Sequence, residues 1–452
     1  MRMRKHLLLP SSLFTCFLVF AVIAVSGRAQ TTASNEWTWI GGSSTTPNSF
    51  GQPGVYGTLG TPAVANIPGG RDSAATWTDS SGNFWLLGGE GVDANGNFGE
   101  LNDLWEFNSS TNEWTWMGRS STFPPSCEGS TTTVCGQPGV YGTQGVPDAP
   151  NIPGGRWGAS HWTDSSGNFW LFGGKGLDAA QNDGDLDDLW KFDPSANEWT
   201  WMGGSNTVGS NGGQPGVYGT LEISAGTSVP GGRDSAASWI DGNGNLWLYG
   251  GAGYDSQGNY GQLDDLWQLN PSTAKWVWEG GNSTLPAPCA SSSPANGVCG
   301  WPAIYGDLGV TAQGNNPGSR ISPSTWTDSK GNIWLFGGLS NIFSSGFDFP
   351  LVDQYDLWEF NPSTNNWTWM GGNNPLTCGQ SNSEGECNQG GVTGILETPA
   401  ISNIPASRAD ASSWIDGSGN LWVYGGSESE TPGVSGGGFC GDIWEFNPSV
   451  NE

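Results

Sequence analysis

Asn83-Phe84-Trp85-Leu86-Leu87-Gly88-Gly89, followed by Asp103-Leu104-Trp105-Glu106-Phe107-Asn108, decides the fold, because the pair recurs along the chain. NFWLFGG ends at Gly174, NLWLYGG at Gly251, NIWLFGG at Gly338 and NLWVYGG at Gly426. Each is followed by DLW or DIW, whose tryptophans are Trp105, Trp190, Trp267, Trp358 and Trp444, spaced 85, 77, 91 and 86 residues apart. Self-similarity at a fixed period marks a repeat architecture.

One unit reads as four short strands. Strand one is Arg71 to Thr78, and strand two is Phe84 to Leu87, ending in Gly88-Gly89. Strand three is Asp103 to Phe107, and strand four is Glu113 to Met117. Alternation of Trp and Thr in WTW gives the two-residue period of a half-buried strand. Asp79 to Asn83 and Asn108 to Asn112 supply the Asp, Asn, Ser and Gly that tight turns use. With 74 Gly, 27 Trp and 12% charged residues, the composition is that of strands and turns.

These motifs resemble the kelch repeat: an aliphatic strand ending in Gly-Gly, and an aromatic with six residues between it and a Trp (Phe107 and Trp114, Phe192 and Trp199, Phe360 and Trp367). An Arg also opens strand one in each unit (Arg71, Arg156, Arg233, Arg320, Arg408). The resemblance spans residues 30–452 and implies an all-β propeller of four-stranded antiparallel blades around a central channel. Kelch propellers usually carry six or seven blades, whereas five units are present here, and Leu269 replaces the aromatic of unit three.

Tryptophan positions suggest how the ring closes. Units one to four each carry five repeat tryptophans, as in Trp77, Trp85, Trp105, Trp114 and Trp116; unit five has only Trp414, Trp422 and Trp444. Asn35-Glu36-Trp37-Thr38-Trp39 matches the missing fourth strand. The expectation is a single five-bladed propeller domain over 30–452, closed by the N-terminal strand completing the last blade, since an unclosed sheet leaves an exposed edge.

Gly/Pro-rich inserts lengthen the units. GQPGVYGT recurs from Gly51, Gly136 and Gly213, becomes GWPAIYGD at Gly300, and leaves a trace at Gly390 to Gly394. Three inserts carry cysteine pairs: Cys127 with Cys135, Cys289 with Cys299, and Cys378 with Cys387, spaced 8, 10 and 9 residues apart. In an exported chain, the same device at the same repeat position predicts disulfides. Zinc is disfavoured, because no His or second Cys pair sits nearby. Cys440 is left over as a buried small residue. Since successive strands alternate in direction, the strand 2–3 loops and strand 4–1 inserts fall on one face, and the short turns on the other.

Residues 1–29 read as a signal peptide, with Arg2, Arg4 and Lys5 before an apolar stretch and small residues Gly27 and Ala29 before the cut. The expected location is secreted, periplasmic or cell-surface, with no membrane association after leader removal. Four of 14 basic residues leave with the leader, so 10 Lys and Arg face 42 Asp and Glu, net −32. Such acidity disfavours nucleic acid.

Outside the leader there is one histidine, His161, at a position held elsewhere by Thr76, Ser238, Thr325 and Ser413. A Ser-His-Asp triad or a His-based metal site would rest on that residue alone. Galactose oxidase also uses kelch blades, but its copper site needs paired His and Tyr ligands that this sequence lacks. The five Arg residues are read as structural, pairing with backbone or acids. No cofactor is expected. Calcium is a minor reading at Asp93 to Asn97, near Glu100, and at Asp255 to Asn259, where oxygen ligands alternate. The Asp79, Asp164, Asp241, Asp328 and Asp416 segments read as turns. The functional expectation is a monomeric, non-catalytic scaffold that binds a protein or glycan through its long-loop face. The alternative is a carboxylate-based glycan-active enzyme at the channel mouth.

Overall fold

A computed structural model describes residues 38–45, 50–127, 135–286, 299–340, 352–372, 391–396, 398–400, 402–428 and 438–449. The chain divides into two compact units, Met1–Gly41 and Gly42–Glu452. In the first, Thr38 to Ile40 form no strand, and the Trp39 indole N–H donates to the Gly41 carbonyl at 2.5 Å. The second unit is all-β.

Among the described residues its main sheets are five antiparallel meanders in chain order, accompanied by four smaller two- and three-stranded sheets built around the strand 2–3 regions. Sheet 1 comprises Ala75–Thr78, Phe84–Val92, Phe98–Asn108 and Glu113–Gly118, with Arg71–Asp72 pairing to the far end of Phe84–Val92 as a fifth strand. Sheet 2 is Ser160–Thr163, Phe169–Phe172, Leu189–Asp193 and Glu198–Gly203. Sheet 3 is Ala237–Ile240, Leu246–Tyr249, Leu266–Asn270 and Lys275–Gly280. Sheet 4 is Ser324–Thr327, Ile333–Phe336, Leu357–Asn361 and Asn366–Gly371. Sheet 5 has three strands among the described residues: Ser412–Ile415, Leu421–Tyr424 and Ile443–Phe446.

Strand one differs from its sequence reading. Arg71–Asp72 and Ala75–Thr78 are separate pieces, broken at Ser73, whose φ is +50°. Strand two does not stop at Gly-Gly in sheet 1 but runs to Val92, with a register shift between Leu87 and Gly89. Glycine is required there. Gly88 has φ +64°, and a Cβ would lie 2.8 Å from the carbonyl oxygens of both Arg156 and Leu101.

The break in strand one recurs and links the sheets. Ser73, Gly158, Ser235, Ser322 and Asp410 all have φ between +50° and +64°. Gly158 N–H donates to Ser73 O (2.9 Å), Ser235 to Gly158 (2.8 Å), Ser322 to Ser235 (2.8 Å) and Asp410 to Ser322 (3.2 Å). The first strands of successive sheets are thereby held side by side.

Aromatic cores fill the space between neighbouring sheets. Trp77, Trp85, Leu87 and Leu104 of sheet 1 pack on Phe169, Leu171, Trp190 and Trp199 of sheet 2. The Trp77 and Phe169 rings stack with centroids 5.3 Å apart. Equivalent clusters join sheets 2 and 3, 3 and 4, and 4 and 5. At the two ends the corresponding positions are uncovered. Phe84 is 49% exposed, whereas Phe169, Leu246 and Ile333 at its position are fully buried. Trp414 is 41% exposed, whereas Trp77, Trp162, Trp239 and Trp326 are at most 7% exposed.

The inserts are not loose loops. Each folds into a short hairpin, seen in the bridges Val55–Ile67, Val140–Ile152, Val217–Val229, Ile304–Asn316 and Val392–Ile404. In sheets 1 and 2 the hairpin lies against the edge strand. Gly60 N–H donates to Trp116 O and Gly145 N–H to Trp201 O, both at 2.8 Å. An edge strand is thus covered by its own insert.

Candidate functional site

The Arg that opens each unit is buried and answers to one acid. Arg71 makes two parallel hydrogen bonds to Asp103 (2.6 and 2.7 Å), and Arg156 to Asp188 (2.6 and 2.8 Å). Arg233 with Asp265, Arg320 with Asp356 and Arg408 with Asp442 repeat the pattern. The insert's Tyr reaches the same carboxylate: Tyr56 to Asp103, Tyr141 to Asp188, Tyr218 to Asp265 and Tyr305 to Asp356. The indole N–H of the DLW tryptophan adds a further donor, as Trp105 does to Asp103 at 2.6 Å. Burial opposes the charge on Asp103, but Arg71 and these donors hold its carboxyl below the ordinary range. Every fork is spent on an acid, so these arginines form no anion-binding ring and are structural, as their position suggested.

Both Asp-rich segments are turn chemistry. Asp79 Oδ1 accepts the N–H groups of Ser81 and Asn83, and Oδ2 accepts the Trp85 indole at 3.0 Å. Asp164, Asp241, Asp328 and Asp416 do the same for Trp170, Trp247, Trp334 and Trp422. In the strand 2–3 loop, Asp93 Oδ1 accepts from Asn95 and Asn97, while Oδ2 accepts the Phe123 N–H at 2.9 Å. Asp178 to Val208 (3.0 Å) and Asp255 to Leu285 (2.8 Å) repeat that last bond. These carboxylates staple strand 2–3 loops to inserts, gathering both at one end of the sheets as alternation predicted. Among the described residues, no three His, Cys, Asp or Glu side chains converge to hold a metal ion.

Cys127 and Cys135 are disulfide-bonded, with Cα atoms 5.8 Å apart, in a small cluster with Leu101 and Phe123. Cys299 is also disulfide-bonded; Cys289, Cys378 and Cys387 lie outside the described residues. Cys440 is half-buried rather than buried, with its N–H donating to Gly426 O at 2.9 Å.

His161 stands on the first strand of sheet 2, edge-on to Trp77, beside a cavity of about 400 Å³. Its Nδ1 lies 3.2 Å from the Ala159 carbonyl, and burial holds the imidazole below its ordinary value.

The sequence reading missed a set of buried acids at the long-loop end. Glu100 of sheet 1 faces Asp183 in the strand 2–3 region of sheet 2, and burial followed by the Asp183 charge pushes Glu100 up to about 9. Asp185 faces Asp234, which precedes sheet 3, and burial pushes Asp185 up to about 8 although Lys175 opposes this. Lys175 Nζ is 3.8 Å from Asp185 Oδ2. Burial also pushes Asp187 and Asp264 up to about 7. A signal for Glu100 and Asp185 did exist: GELND and GDLDD place an acid on a strand whose neighbours are buried.

No helix among the described residues is long and apolar enough to cross a membrane. No protein-family model and no curated protein matches the chain. A solved structure titled "Structure of YjhT" aligns over 84% of this chain and 82% of its own, at 14% identity and a TM-score of 0.44, too remote to bear on fold or function.

Proposed function

We propose that the chain is an exported kelch-type propeller that acts as a binding scaffold for a protein or glycan through its long-loop end. The observation that carries this is the stapling of strand 2–3 loops and inserts into one crown by Asp93, Asp178 and Asp255. Long loops fixed on a rigid scaffold are where recognition concentrates. The five sheets are then blades, with the segment Asn35 to Ile40 as the fourth strand of the last.

Two features support that closure. The Trp39 indole bond to Gly41 O matches the bonds that end strand four elsewhere: Trp116 to Gly118 O, Trp201 to Gly203 O, Trp278 to Gly280 O and Trp369 to Gly371 O. Gly42, with φ +87°, matches the positive-φ residues Arg119, Gly204, Gly281 and Gly372 that follow those strands.

A carboxylate-based glycan-active enzyme is the second reading, favoured by the acid pairs that cross sheets. Against it, Glu100 and Asp185 are each 1% exposed. A glycosidase needs two carboxyls about 5–10 Å apart on either side of an open sugar site. Glycan and peptide arrays with a parallel hydrolysis assay test both. Saturable binding without turnover supports the scaffold, turnover lost in Glu100→Gln supports the enzyme, and silence in both assays overturns the scaffold reading.

A further inference from the structure

Sheets 1 to 3 can be compared where the insert meets the strand 2–3 region. At sheet 1 this space holds Phe123 and the Cys127–Cys135 disulfide. At sheet 3 it holds Leu285 and Cys299. At sheet 2 the insert is cut to Val208-Gly209-Ser210-Asn211-Gly212, with no cysteine. The smaller Val208 stands there in the place of Phe123 and Leu285, and beside it lies a cavity of about 540 Å³, lined by Asn182, Asp183, Thr207, Val208, Ser210 and the glycines of that loop.

Asp183 on the cavity wall is the outward member of the buried acid set. Glu100, 1% exposed, is near enough for the Asp183 charge to raise its carboxyl. Glu100 Oε2, Asp183 Oδ1 and Asp185 Oδ1 are buried and receive no hydrogen bond from a protein donor. The charged and titratable groups facing this set are Glu90, Lys175, Asp234 and, around Asp234, Asp410, with Tyr254 and Tyr260 on the sheet 3 side. Lys175 is the one cation among them. Buried oxygens without donors are costly, and a group bringing several N–H donors and a positive charge relieves both costs. An ammonium carries three donors. The acids do not converge as metal ligands do.

We infer that the cavity at Asp183 is a binding site for a primary ammonium group, as carried by an alkylamine or a lysine side chain. This rests on the binding-scaffold reading and names a ligand class for its long-loop end. On binding, the positive charge brings the Glu100 carboxyl back towards its ordinary range, and its proton leaves to solvent.

The test is calorimetric titration of the purified full chain with propylammonium chloride at pH 7, in phosphate and in HEPES. 1-Propanol and calcium chloride serve as separate titrants. The expected result is saturable amine binding, an enthalpy that differs between buffers because protons are released, and no heat with propanol. Asp183→Asn weakens binding at least tenfold, and Ser210→Trp, which fills the cavity without changing charge, abolishes it. Thermal melts confirm that each variant is folded. Absence of amine binding, unchanged affinity in Ser210→Trp, or calcium binding that displaces the amine overturns the inference. An array ligand that survives Ser210→Trp leaves the scaffold reading standing when this site fails.

Discussion

Tyr56 and Asp103 stand 47 residues apart, yet the Tyr56 hydroxyl donates to Asp103 Oδ2 at 2.6 Å, joining the insert to the third strand of its sheet. Arg71 closes the same carboxylate from the first strand. One buried acid therefore ties insert, strand one and strand three. Sheet 5 lacks the Tyr: Thr393 takes its place in the GVTG trace, and the Asp442 side chain is 40% exposed.

Removing one partner from a buried pair leaves an uncompensated charge, at a cost of about 3–5 kcal/mol. Asp188→Asn should therefore lower stability by roughly that amount in urea denaturation. Asp442→Asn, with a half-open carboxylate, should cost about 1 kcal/mol. Equal losses at the two positions would contradict the exposure difference.

Tyr56→Phe removes one hydrogen bond and keeps the ring against Trp105. The expected loss is about 1–2 kcal/mol, with the sheet still folded. Hydrogen exchange should report it first at the Gly60 to Trp116 contact between insert and edge strand.

Opening the Cys127–Cys135 bridge with Cys127→Ser and Cys135→Ser should cost about 2 kcal/mol, because the bridge closes a short loop. Mass spectrometry after alkylation without reduction should find both thiols unmodified in the parent chain.

The acid pairs give stability a pH dependence. Glu100 is pushed up to about 9 and Asp185 to about 8 in the fold. Unfolded carboxyls titrate near about 4. The folded chain therefore binds more protons than the unfolded one between those values, and stability falls as pH rises from about 4 to about 9. Melting temperature should decline from pH 5 to 9, and Glu100→Gln with Asp185→Asn should flatten the decline. A melting temperature that rose across that window would refute the raised Glu100 and Asp185 carboxyls. Asp103 works in the opposite sense: its carboxyl is held low, so its contribution is lost as pH falls below about 4.

Local chemistry was legible in the sequence. The Asp79 to Asn83 turn, its flanking strands and the recurring Trp positions follow from residues that interact within a few positions of one another. The Arg71 position pointed to a structural role, but its partner Asp103 lies 32 residues away and no spacing rule selects it. Gly88-Gly89 read as a strand end because glycine usually punctuates strands; in sheet 1 it is a bulge forced by the approach of Arg156 and Leu101 carbonyls. The pairing of Glu100 with Asp183 was invisible because it forms only when two sheets pack. Ring closure was inferred from the Trp39 segment. Among the described residues, however, sheet 5 has three strands, and Phe84 and Trp414 are exposed at the two ends of the array.

Deleting Asn35 to Ile40 addresses that closure. The expected result is faster amide exchange in Ile443–Phe446, the edge strand of sheet 5, with sheet 2 unchanged. Unchanged exchange in Ile443–Phe446 would mean that the segment does not complete this sheet.

Recognition at the long-loop end can be read by tethering the protein to a surface in two orientations, through Ser109→Cys in a short turn or through Ser210→Cys in an insert, and measuring capture of a ligand found on the arrays. Capture is expected when the protein is held by Ser109→Cys and loss when it is held by Ser210→Cys; the reverse pattern would put recognition at the short-turn end instead.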